Sequence, residues 1–129
     1  MRSVPVFVAV GKIRLAIPGC RSLKEKRSVL KPLLLRLRDK FGVCAAEVGH
    51  HDAWESAVVG VATIGNEAPE LDAFLSRVLE DVGRGRRAAV VDLRKEIISA
   101  GGIGEEPAPV AAEGEGLEAV ETEWIEKDK

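Results

Sequence analysis

The chain contains no tyrosine, and its aromatic residues are three Phe and two Trp, 4% of the total. Phe7 is the only one of them within the first, second and fourth strands assigned below, so a platform on which single-stranded bases could stack is missing. Cysteine is as scarce. Cys20 and Cys44 make neither a zinc-ligand spacing nor a disulfide framework, and reduced thiols are the simpler reading. No apolar run approaches the roughly 20 residues that a membrane span needs. The run over residues 4–10 is too short for a signal peptide, and no cleavage-like segment follows it. There is no Walker-type glycine loop, so nucleotide hydrolysis is not implied. These absences leave a soluble, cytoplasmic binding domain as the expectation, with no membrane contact, no cofactor, no metal site and no catalytic constellation.

What the chain does have is charge, unevenly placed. Residues 1–98 carry 17 Lys/Arg against 12 Asp/Glu, a net of +5, while residues 99–129 carry two Lys against nine acids, a net of −7. The overall net charge of −2 therefore describes neither part. We read residues 1–98 as one domain, long enough to bury a modest core. Residues 99–129, rich in Gly, Ala, Pro and Glu, read as a disordered acidic tail. Leu117, Val120, Trp124 and Ile125 within it suit a short amphipathic helix. Its charge suggests either a solubilising appendage or a competitor for nucleic acid.

Periodicity places six elements. Val4, Val6, Val8 and Val10 alternate, and Ile13, Leu15 and Ile17 alternate on the opposite parity, which predicts one strand with a bulge or bend at Gly11-Lys12. Ser22 opens a helix to about Lys40 whose apolar face holds Leu23, Leu30, Leu33, Leu34, Leu37 and Phe41, with Pro32 on the outward face and Gly42 ending it. Residues 43–48 and about 54–64 read as strands joined by a turn at residues 50–52. Pro69 starts a second helix with Leu71, Phe74, Leu75, Val78, Leu79 and Val82 on one face, and Gly83-Arg84-Gly85 stops it. Ala89, Val91, Leu93, Lys95 and Ile97 alternate as a fourth strand. The order predicts a ferredoxin-like βαββαβ α+β fold, a four-stranded antiparallel sheet with two helices on one face.

The run Pro18-Gly19-Cys20-Arg21-Ser22-Leu23-Lys24-Glu25-Lys26-Arg27, with Val43-Cys44-Ala45-Ala46-Glu47-Val48 and His50-His51-Asp52-Ala53-Trp54, resembles the YlxP-like family, bacterial domain of unknown function 503. The resemblance covers residues 4 to about 98. It implies the ferredoxin-like fold and, because members are often encoded near translation-initiation and ribosome-maturation genes, a ribosome-associated role. It implies no catalytic residues.

Four features are candidates for function. Lys24, Arg27, Lys31 and Arg38 share one side of the first helix, and residues 12–40 hold ten basic residues opposed only by Glu25 and Asp39. Such a ridge suits the phosphates of structured RNA or a ribosomal particle, with Arg21 and Lys12 in support; a solvated face of good helix formers is the plain alternative. At the helix start, Ser22 and Glu25 form a capping box in which Glu25 reaches back to Ser22, while Arg21, Lys24 and the turn at Gly19 offer an anion site. His50-His51-Asp52, with Glu47 and Glu55, holds acid–base or metal-ligating groups, but a turn with Trp54 packed beside it is the simpler reading, and Cys44 reads as a small core residue. Finally, the strands are apolar on both faces. That asks for a second cover, for which a homodimer through the sheet is preferred over docking of the tail.

Overall fold

The computed structural model describes residues 4–100. The six elements are β1 (Phe7–Ala16), α1 (Leu23–Phe41), β2 (Cys44–Gly49), β3 (Ser56–Gly65), α2 (Ala68–Val82) and β4 (Ala89–Ser99). The strands form one sheet in the order β2-β3-β1-β4 with every neighbouring pair antiparallel, so each helix crosses over one intervening strand. This is the ferredoxin-like α+β arrangement that the element order predicts. The last strand runs to Ser99, and the Ala100 N–H donates to the Val6 carbonyl at 2.8 Å. The acidic segment from residue 101 onward, with the apolar positions between 117 and 125, lies outside the described residues.

One face of the sheet carries the core. Ala9, Ile13 and Leu15 of β1 and Ala57, Val59 and Val61 of β3 are buried against Leu30, Leu33 and Leu37 of α1 and Leu71, Leu75 and Val78 of α2. Both helices thus share one side, and each buried Val, Leu or Ile there contributes about 1.5–3 kcal/mol. The ends of α1 follow its sequence signals. Ser22 Oγ accepts from the Glu25 N–H at 3.0 Å, and Gly42 closes the helix in the left-handed region at φ 68°, its N–H donating to the Arg38 carbonyl at 2.9 Å. Pro32 lies within the helix on its exposed side.

Three expectations need correction. There is no bulge at Gly11-Lys12, because β1 pairs with β3 in unbroken register from Phe7 to Ala16. The parity switch instead records a change of face: Val8 and Val10 lie on the open side, whereas Ile13 and Leu15 lie in the core. Gly11 serves packing, since a Cβ there would stand 3.1 Å from Leu79 Cδ2. The irregularity falls one turn of pleat later, between Arg14 and Leu15 in the pairing with β4, where Val91 is the extra residue. Cys44 is exposed, because Val43 and Ala45 take the inward positions on β2 and alternation sends Cys44 outward. Trp54 is also 53% exposed rather than packed into the turn.

The open side of the sheet divides in two. Toward the start of β1, Val8, Val10, Ala62, Ile64 and Ile98 form an apolar half, with Ile64 71% exposed. Toward its end the outward positions are Lys12 and Arg14 on β1 and Asp92, Arg94 and Glu96 on β4. The apolar content on both faces that the sequence shows is therefore real, but it is concentrated at one end, with Val58 across from Arg14 at the other.

Candidate functional site

Of the ten basic residues between positions 12 and 40, four are engaged within the fold. Lys26 is buried at 1% exposure. Arg36 and Lys40 both reach Asp81 of α2, at 2.9 Å each, and Arg36 Nη2 also donates to the Asp81 carbonyl at 3.2 Å. Asp81 is buried among them, and hydrogen bonding from Lys40, reinforced by Arg36, holds its carboxyl below the usual aspartate range despite the opposing effect of burial. Arg38 turns back on β2, where Nε and Nη2 donate to the Ala45 carbonyl at 3.1 and 2.5 Å. That contact covers a backbone acceptor on an edge strand, and it sets Arg38 apart from Lys24, Arg27 and Lys31. Lys24, Arg27 and Lys31 remain exposed along α1 with no ion pair among the described residues, and Arg21 precedes them in the same condition.

The protein's own carboxylates accept from two backbone N–H groups just ahead of the helix. The Gly19 N–H donates to Glu55 Oε1 at 3.3 Å. The Arg21 N–H donates to Glu25 Oε2 at 3.3 Å, so Glu25 reaches one residue past the Ser22 position expected of a capping box. Two acidic side chains thus take the N–H groups of Gly19 and Arg21 just before the helix.

Lys26 is the residue whose role the sequence reading missed. Its ammonium donates to the carbonyls of His50, His51 and Ser56 at 2.9, 3.4 and 3.2 Å, and lies 2.8 Å from Glu47 Oε2. Four oxygens surround three N–H bonds, and the Glu47 oxygen is in charge contact without hydrogen-bond geometry. One buried side chain of α1 thereby pins the β2–β3 turn. A signal was available: residues 26, 30, 33 and 37 follow the i, i+4, i+7, i+11 spacing of the buried stripe. Within the turn, His50 sits at φ 60° with Nδ1 2.5 Å from Ser56 Oγ, and His51 Nε2 lies 3.2 Å from the Glu47 carbonyl. No group of three His, Cys, Asp or Glu side chains among the described residues could hold a metal ion.

The pinned turn borders a hollow of about 490 Å³ on the open face of the sheet. Lys12 and Arg14 of β1, Asp92 and Arg94 of β4, and His50 line it, with Val58 at its base. Lys12 thus belongs with Arg14 and Arg94, on the opposite side of the sheet from Lys24, Arg27 and Lys31. Of the six sequence-derived candidates, five fall in two places on opposite faces, and Arg38 belongs to neither.

A family model described as a protein of unknown function (DUF503) matches residues 8–95. The chain is also similar to the uncharacterized protein YlxP of Bacillus subtilis strain 168, 41% identical over 58 residues, which are 45% of this chain and 63% of that protein. The match therefore spans less than two thirds of the relative's length.

Proposed function

The chain belongs to the YlxP-like DUF503 family, uncharacterised in function, and for it we propose a role as an RNA- or ribosome-associated binding domain acting through α1. One observation supports this most. The fold engages Lys26, Arg36, Arg38 and Lys40 with oxygen partners, yet leaves Lys24, Arg27 and Lys31 unpaired on one side of the same helix. Their spacing of three and four residues makes them neighbours over a rise of about 10 Å, a short cationic ridge. Recognition is by charge and shape, since the sheet offers no aromatic platform for bases. With Arg38 withdrawn, three phosphate contacts give a log–log salt slope of roughly −2 to −3.

The test is co-sedimentation of the full chain with bacterial ribosomal subunits at about 50 and 200 mM salt, a range over which phosphate-driven affinity falls steeply. Association that weakens with salt and disappears when Lys24, Arg27 and Lys31 are all changed to Glu is the expected result. Binding that ignores both salt and the charge reversal overturns the proposal.

The apolar half of the open face favours a second reading, a homodimer formed through Val8, Val10, Ile64 and Ile98, with Ile64 71% exposed. Sedimentation equilibrium separates the two, because apolar association persists at high salt and is broken by Ile64→Lys.

A further inference from the structure

The charged half of the open face contains an arrangement that folding alone does not favour. In the register of β1 with β4, Lys12 stands directly across from Arg94, and Arg14 directly across from Asp92. Like charges at directly opposed positions are destabilising, and alternation puts all four side chains on the same face. Lys12 and Arg14 have no ion pair among the described residues, and the one carboxylate lining the hollow is Asp92, 3.5 Å from Arg94 and itself exposed; Glu96, the next outward residue of β4, stands across from Val10 and outside that lining. Among the residues that line it, three cations stand against one carboxylate, an excess of two positive charges. Its wall on the far side of β3 is His50, whose ring is held through Nδ1 by Ser56 Oγ, so that Nε2 is left for another partner. Behind that ring, the Lys26 ammonium fixes the backbone of the turn. The base is Val58, apolar and 7% exposed.

From this geometry we propose that the hollow bounded by Lys12, Arg14, Arg94 and His50 is a binding site for a small phosphorylated ligand, its phosphate held by the three cations. An excess of two positive charges in the lining suits a phosphate monoester or a diphosphate group. A hollow of about 490 Å³ exceeds what a bare diphosphate fills and lies within the range of small-molecule sites. The apolar base suits the organic portion of a nucleotide-sized ligand. This site is separate from the α1 ridge: it lies on the other face of the sheet, is concave where the ridge is convex, and shares no residue with it. Phosphate on Arg and Lys gains charge-assisted hydrogen bonds, bidentate at Arg, and relieves the Lys12–Arg94 repulsion when it binds.

The experiment is calorimetric titration of the full chain with inorganic pyrophosphate and, separately, with adenosine 5′-diphosphate. It is run on the wild type, on Lys12→Gln and Arg94→Gln, and on the Lys24/Arg27/Lys31→Glu reversal. The expected result is binding that each single variant weakens about tenfold or more, that Lys12→Arg restores, and that the α1 reversal leaves unchanged. Tighter binding of the nucleotide than of pyrophosphate assigns a role to the Val58 base; equal binding assigns the site to the phosphates alone. The proposal is overturned if neither probe binds at millimolar concentration. It is equally overturned if binding survives both single variants, or if the α1 reversal abolishes it. Both single variants change exposed side chains, so thermal unfolding within a degree or two of wild type serves as the folding control. Ribosome association is measured on the same proteins, so failure of the ridge and failure of the hollow are told apart.

Discussion

On the helix side of the sheet, Lys26 is buried against the oxygens of His50, His51, Ser56 and Glu47, and Arg36 and Lys40 converge on the buried Asp81. On the open side, Lys12 faces Arg94 across the strand pair, and neither Lys12 nor Arg14 has an ion pair among the described residues. The same residue types therefore do different work within one small domain. Where a charge is buried, as at Lys26 and Asp81, desolvation makes leaving it unpaired so costly that it is found with partners of opposite charge or dipole around it. Where it stands on a solvated face, water screens the repulsion and the charge is left for a ligand. Formal charge along a helix thus says little about binding until the engaged cations have been set aside. For α1 that leaves three of the four residues of the original row.

The comparison is broken most severely at Lys26. Lys26→Met removes the ammonium from the turn carbonyls and leaves the Glu47 carboxylate beside an apolar side chain, with an expected loss of about 3–5 kcal/mol in denaturant unfolding. A loss below about 1 kcal/mol would show that the turn holds without it. Next comes the contact between α2 and the sheet. Gly11→Ala places a methyl group 3.1 Å from Leu79 Cδ2, and overpacking there costs about 1–3 kcal/mol by the same measurement.

Asp81 sharpens the comparison through pH. Its carboxyl is held below the ordinary aspartate value, so its contribution to stability is complete above the unfolded pKa near 4 and is lost as pH falls through the lower folded value. Asp81→Asn is expected to cost about 1–2 kcal/mol at pH 7, discounted because Arg36 and Lys40 are half exposed. The gap between variant and wild type narrows below about pH 4, and a gap independent of pH would rule out the ion pairs as its source. The smallest effect belongs to the free row. Lys24→Ala, Arg27→Ala and Lys31→Ala should each leave the unfolding free energy within about 0.5 kcal/mol, because none has a partner to lose. A substantial destabilisation would instead make the row structural and remove the basis for the RNA reading.

Much of this was legible in the chain itself. Alternation and helical spacing are local consequences of backbone geometry, so Ile13 and Leu15, Leu30, Leu33 and Leu37, and Leu71, Leu75 and Val78 identify core faces without reference to anything distant. Ser22 and Gly42 announce the ends of α1 for the same reason, and the order of elements admits few sheet topologies. The family likeness was carried by contiguous motifs. What misled was the reading of Gly11 and of Cys44. The first turned on a Leu79 that lies 68 positions along the chain, and the second on which parity of β2 faces the helices.

By itself, then, the sequence determined the six elements, the helix caps, the ferredoxin-like order and the presence of a basic surface. Tertiary structure alone decided which cations remain available. It took Lys26 inward, gave Arg36 and Lys40 to Asp81 and Arg38 to the edge of β2, set Glu25 and Glu55 on the backbone just ahead of α1, and assembled Lys12, Arg14, Arg94 and His50 on the opposite face. The physical reason is that secondary structure is set by neighbours within a few residues. A charge's partner is set instead by distance in space, and in this fold those partners lie as far as 45 positions away along the chain.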